Sequence, residues 1–165
     1  MANDFPGVGQ AELQARGAEW TAREIAQQPS VWPHVERLVS EQRAQLDRFL
    51  QPLLTKSSLR VVMSGAGTSS FIGDCLVPVL SVRLQRRVES IATTDLVSGP
   101  HLRLQADAPT LLVSFARSGN SPESVAAVDL AERVVTDVHH LIITCNAEGE
   151  VAKRAHRLRS AHSIV

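Results

Sequence analysis

Two short polar stretches hold the side chains most able to do chemistry. The first, Gly65-Ala66-Gly67-Thr68-Ser69-Ser70, follows directly on the apolar run Leu59-Arg60-Val61-Val62-Met63. Its glycines permit a tight turn and close approach of the backbone to a guest. Thr68, Ser69 and Ser70 bring hydroxyls to the start of a predicted helix, whose free amides and positive dipole end suit a phosphate or a sugar hydroxyl. A dinucleotide fingerprint would need a third glycine where Ser70 stands. Glu89, about twenty residues on, falls early in its strand instead of at its end, where that fingerprint places its acid. For this loop alone, a nicotinamide or flavin site and a ligand-free strand-to-helix turn both stay open.

The second stretch is Ser114-Phe115-Ala116-Arg117-Ser118-Gly119-Asn120-Ser121-Pro122-Glu123. Ser118 and Ser121 are hydroxyl donors three apart, Gly119 lets the backbone fold tightly, and Arg117 adds positive charge. Ser121-Pro122-Glu123 also opens a helix, with a hydroxyl cap, proline at the first helical position and an acid in the first turn. So many donors with no acceptor beside them describe an anion site. The alternative is that Ser121 only caps the helix and the rest is turn chemistry.

The surrounding elements place both stretches at one edge of a sheet. Strands are expected at 59–63, 88–93, 110–115 and 140–145, with a fifth beginning at 161–165. Helices are expected over 69–86, 121–135 and 148–158. Near-continuous apolar strands alternating with helices predict an α/β fold, a doubly wound parallel sheet of about five strands. In such a sheet ligands bind beyond the carboxyl ends of the strands, where strand order reverses. The first third reads as helix. Thr21 and Glu24 fit a capping box, Pro29-Ser30 breaks the chain, and apolar residues from Val31 to Leu54 mark one amphipathic helix of six or seven turns. The expected division is 1–56 as an N-terminal helical segment and 57–165 as the sheet domain, with the last strand cut short at Val165.

Composition excludes several classes. Lys plus Arg and Asp plus Glu are 17 each among 165 residues, so no overall field draws the chain to nucleic acid or anionic membrane. The 44% apolar and 21% charged content is that of a soluble globular domain. No secretory leader and no run of 18 apolar residues is visible, so the expected location is the cytoplasm. Cys75 and Cys145 have no paired spacing and fall in elements expected to be buried, which reads as reduced thiols. The six histidines show no metal-ligand spacing, and His139-His140 reads as the edge of a strand.

Ser118-Gly119 flanked by hydroxyls after an apolar strand resembles the phosphate-binding signature of the SIS (sugar isomerase) domain family. Gly67-Thr68-Ser69 resembles its partner motif, and 142–146 with Glu148-Gly149 its third turn. A closer resemblance, over about 20–165, is to the AgaS-type galactosamine-6-phosphate deaminase/isomerases, also called tagatose-6-phosphate ketose/aldose isomerases. Trp20-Thr21, Glu24-Ile25, Gln28-Pro29, Phe71-Ile72-Gly73-Asp74, Thr93-Thr94-Asp95-Leu96-Val97, the 65–69 loop and 117–123 carry it.

The resemblance implies a flavodoxin-like three-layer sandwich and a sugar-phosphate site. Gly67, Thr68 and Ser69 would meet the sugar or its phosphate, and Arg117, Ser118, Gly119, Asn120 and Ser121 would hold the phosphate. Many loops of the family carry Gln or Glu where this chain has Arg117 and Asn120. Asp95, just after the second strand, reads equally as a turn cap or a substrate contact. Aldose–ketose isomerisation moves a proton through an enediol or enolamine and needs an acid and a base, but no cofactor or metal. The resemblance assigns no catalytic residue to this chain, because a second lobe beyond Val165 supplies the catalytic Glu and His. It implies a hexose or hexosamine 6-phosphate ligand and a homodimer. The alternative function is a non-catalytic SIS module that senses a sugar phosphate.

Overall fold

The computed structural model describes residues 7–165. Along the chain these form α1 (Gln10–Ala15), α2 (Glu19–Glu41), α3 (Arg43–Leu54), β1 (Arg60–Gly65), α4 (Ser70–Leu84), β2 (Arg87–Ser90), α5 (Thr93–Ser98), α6 (Pro100–Arg103), β3 (Thr110–Ala116), α7 (Pro122–Val134), β4 (Val138–Thr144), α8 (Glu150–Ala155) and β5 (Ala161–Ile164). They divide into two units, one ending at Gln45 and one spanning Leu46–Val165.

In the second unit the strands pair in parallel in the order β2-β1-β3-β4-β5. Every residue of β1 and β3 is buried, as a strand covered on both faces requires. Alternation sends successive side chains to opposite faces. Val61, Met63, Leu111, Val113 and Phe115 pack with Leu46 and Leu53 of α3 and with Val77, Leu80 and Leu84 of α4. Val62 and Leu112 face the other way, onto Leu96 of α5 and Ala127 and Ala131 of α7. Ile142 of β4 extends that second face toward Val128 and Val151. This is the expected doubly wound, three-layer sandwich.

Several local expectations need correction. In the first unit, α2 begins at Glu19 with Ala18 at its cap, so Thr21 lies inside the helix and forms no capping box. Glu24 instead accepts a hydrogen bond from Gln27. Pro29 and Pro33 do not break α2. The carbonyls they leave without an intrahelical partner, those of Ile25 and Pro29, lie on a stretch exposed to water. The long amphipathic helix is in fact two, parted at Gln42, and only its second half supplies core residues, Leu46 and Leu53.

In the second unit, β2 ends at Ser90, and Thr93, expected to close that strand, opens the unforeseen α5. The β-branched pair Thr93-Thr94 favoured a strand on propensity, and burial of Leu96 decided otherwise. Cys75 and Cys145 are free and exposed, not buried. The largely apolar composition of α4 hid which of its faces turns outward; Phe71, Val79 and Val82 are exposed with Cys75. His139 and His140 lie within β4, and His140 is completely buried.

Candidate active-site crevice

β1 and β3 are neighbours, but α4 and α7, which follow them, cover opposite faces of the sheet. The two connecting loops must therefore part, and a crevice opens between them at the carboxyl ends of the strands. The first loop turns through Gly67, at φ 54°, into a single 3-10 turn, Gly67–Ser69, that leads into α4. The Ser70 hydroxyl donates to the Gly67 carbonyl at 2.7 Å and ties that turn.

The second loop reverses at Gly119, whose φ of 68° lies in the left-handed region that glycine adopts without strain. The Asn120 amide donates to the Ser118 hydroxyl at 3.3 Å. Ser121 occupies the N-cap position of α7, as expected, but its hydroxyl makes no cap bond. It donates to the Ser124 hydroxyl at 2.6 Å instead.

A third loop, after β4, clamps the second. The Asn146 side-chain amide donates to the Ser118 carbonyl at 2.9 Å, and the amides of Glu150 and Val151 donate to the Asn120 side chain and the Gly119 carbonyl. Gly149 fits so closely that a β-carbon there would stand 2.8 Å from the Ser118 carbonyl oxygen. The turn at 142–149 thus fixes the Ser118 loop, and none of its residues lines the crevice.

The resulting crevice holds about 240 Å³. Five of the eight expected site residues line it: Thr68, Ser69, Arg117, Ser118 and Ser121. Gly67, Gly119 and Asn120 shape the loops but are not among the lining residues. Ala66 and Phe115 also line the crevice and were missed. Their positions at the ends of β1 and β3 were the available signal, since strand ends at the switch point border the crevice whatever their chemistry. Asp95 is not brought here; it lies in α5, exposed, 3.8 Å from Arg103, on a separate hollow. The lining provides hydroxyls and one guanidinium, and neither carboxylate nor imidazole. It can hold an anion; it contains no group of the kind that moves protons near neutral pH.

A larger hollow, about 430 Å³, lies along β2 among Arg60, Arg87, Glu89 and Arg103. Its one carboxylate is already engaged, since Glu89 pairs with both Arg60 and Arg87, and Arg103 lies 3.8 Å from Asp95. Burial pushes the Glu89 carboxyl up, and the two guanidiniums together hold it below its ordinary value.

Comparison with known proteins agrees with this architecture. The chain is 54% identical over 145 residues to a Streptomyces coelicolor protein provisionally named D-galactosamine-6-phosphate deaminase AgaS, covering 88% of this chain and 38% of that one. It is 49% identical over 144 residues to the D-galactosamine-6-phosphate deaminase AgaS of Shewanella sp. (strain ANA-3), covering 86% and 37%. The crystal structure of tagatose-6-phosphate ketose/aldose isomerase from Escherichia coli superposes with a TM-score of 0.87 at 43% identity, covering 92% of this chain and 41% of that one. The 165 residues thus span about two fifths of the length of these relatives. Among the described residues no helix is long and apolar enough to cross a membrane. The SIS domain model matches residues 53–163, the sheet and both crevice loops, and the chain belongs to the SIS domain family.

Proposed function

We propose that the crevice binds the phosphate of a hexose or hexosamine 6-phosphate. The chain then acts as the phosphate-binding lobe of an amino-sugar-phosphate deaminase and aldose–ketose isomerase, working on galactosamine 6-phosphate or tagatose 6-phosphate. The observation that carries this reading is the lining itself: four hydroxyls and one guanidinium gathered at the starts of two helices at the switch point. Ser118 and Ser121 with Arg117 receive the phosphate, Thr68 and Ser69 the sugar or the phosphate's far side, and Gly67, Gly119 and Asn120 set the loop shapes.

After ring opening, a base removes the proton alpha to the carbonyl, and the enediol or enolamine is reprotonated at the neighbouring carbon. With an amino sugar, reprotonation at C1 yields a ketimine, and its hydrolysis releases ammonia. No crevice-lining residue is fitted to be that base. The proton transfer therefore draws on residues from the part of the relatives' length that these 165 do not span. The free, exposed Cys75 and Cys145 fit a reducing cytoplasm, and the assembly we assign is a homodimer.

A thermal-shift titration with galactosamine 6-phosphate, against galactosamine and inorganic phosphate, tests the site. A saturable rise requiring sugar and phosphate together is expected, and Ser118→Ala should weaken it by about 1–3 kcal/mol of affinity. An unchanged affinity in that variant removes the loop from the site. The lack of a base also favours a second reading, a sugar-phosphate sensor without catalysis. Ammonia release once the residues completing the relatives' length are present decides for the enzyme, and binding without turnover decides for the sensor.

A further inference from the structure

The amino edge of the sheet carries a second group of reactive side chains. The His140 amide donates to the Ser160 carbonyl at 3.0 Å, holding the residue before β5 against β4. That pairing brings the Ser160 hydroxyl to 2.6 Å from His139 Nδ1. The other ring nitrogen, Nε2, lies 2.9 Å from Asp137 Oδ1. Asp137 Oδ2 accepts from Lys56 Nζ at 2.5 Å. Lys56 Nζ is also 3.3 Å from Nε2, but its shorter bond to the carboxylate is the charge-assisted, stronger one. With Oδ2 engaged by Lys56, Oδ1 is left to accept Nε2–H. The Nδ1 lone pair then faces Ser160, whose hydroxyl donates to it.

The His139 side chain is only 14% exposed, whereas Ser160 borders an open hollow of about 200 Å³, together with Arg159 and Glu132. A small molecule can therefore reach the hydroxyl. Burial pushes the His139 imidazole below its ordinary pKa; Asp137 opposes this and Lys56 and Arg159 reinforce it. The ring is accordingly in its proton-accepting form at neutral pH.

We propose that Ser160, His139 and Asp137 form a second reactive site that accepts small esters, with Ser160 as nucleophile, His139 as general base and Asp137 as positioning residue. A nucleophile within hydrogen-bond reach of a base, itself oriented by a third group, is the arrangement that nucleophilic catalysis requires on any fold. Here Nδ1 faces the serine and Nε2 the carboxylate, the reverse of the serine proteases. Ser160 Oγ attacks the acyl carbon while its proton passes to His139 Nδ1. The bond to the leaving oxygen breaks and that oxygen takes the proton. Water then attacks the acyl-serine, giving a proton to His139, which returns it to Oγ as the carboxylic acid departs. Arg159, on the same hollow, supplies positive charge for the transient oxyanion.

The test is labelling of the purified protein with a fluorophosphonate, which forms an Oγ–P bond and expels fluoride, followed by peptide mass spectrometry. A single adduct on Ser160 is expected, absent from Ser160→Ala and from urea-unfolded protein. His139→Gln should slow labelling by about a hundredfold or more. Because that variant could disturb β4, Asp137→Asn provides a second readout. Lys56 and Arg159 face the His139 ring with Asp137, and His140 with its partner Glu132 adjoins it on the strand. Removing the Asp137 charge, the one that favours protonated His139, should lower the pH of half-maximal labelling. No adduct on Ser160, or labelling there that both variants leave unchanged, overturns the proposal.

Discussion

Followed from one end to the other, β1 passes from paired charges to open donors. At its amino end Arg60, with a side chain only 4% exposed, is paired with Glu89, which also holds Arg87. Nearby, Asp137 pairs with both Lys56 and His139. At the carboxyl ends of β1 and β3, the hydroxyls of Thr68 and Ser69 and the guanidinium of Arg117 meet no side-chain partner among the described residues. A buried charge must be compensated within the fold, because desolvation is costly. A site for an external anion must keep its donors open, so it is built from exposed hydroxyls and helix-start amides that water can satisfy meanwhile. One edge of the sheet is therefore expected to govern stability and the other affinity.

The largest effect should come from the amino edge. Glu89→Ala leaves the Arg60 charge buried with no counter-charge and should cost about 3–5 kcal/mol in urea denaturation, with sugar-phosphate affinity of the folded fraction unchanged. A cost below about 1 kcal/mol would mean that water or a neighbour compensates Arg60. Gly149→Ala joins the two properties, since its new β-carbon would press on the Ser118 carbonyl. It should destabilise by about 1–3 kcal/mol and weaken ligand binding as well. If affinity survives intact, the clamp does not set the Ser118 loop.

Asn146→Ala is gentler and more selective. It removes the hydrogen bond to the Ser118 carbonyl and should lower affinity by about 1 kcal/mol, with a small change in melting temperature. The smallest effect is one of pH. Burial lowers the pKa of His140, against the pull of Glu132, and also that of His162. The unfolded chain then binds more protons than the folded one below the ordinary histidine value of about 6.5. Stability should fall as pH drops through that value and level off once the lower folded pKa values are passed. His140→Asn should flatten this slope in melting curves between about pH 7.5 and 5.5. A slope identical in that variant would place the proton uptake elsewhere.

The fold class and the crevice loops were legible because each depends on local chemistry. Apolar strands such as Thr110–Ala116 can lie only in a sheet covered on both faces, and Ser121-Pro122-Glu123 opens a helix wherever it stands. The 23-residue α2 was misread for a corresponding reason: proline's local preference is to end a helix, and solvation of the freed carbonyls is not written in the sequence. The burial of Cys75 was misjudged because composition does not say which face of an apolar helix turns outward, and that of Cys145 because β4 ends one residue earlier, at Thr144.

The sequence by itself determined which residues are donors, the approximate course of the five strands and of the helices after β1, β3 and β4, and that the donors fall just beyond strand ends. Only the tertiary structure decided that Asp95 stays outside the crevice while Phe115 enters it, that Ser121 bonds Ser124 instead of capping α7, and that His139 meets Ser160 and Asp137. Those outcomes follow from strand order and register, which join residues far apart along the chain. No local preference reports such pairings, because they depend on which neighbours burial of the whole sheet brings together.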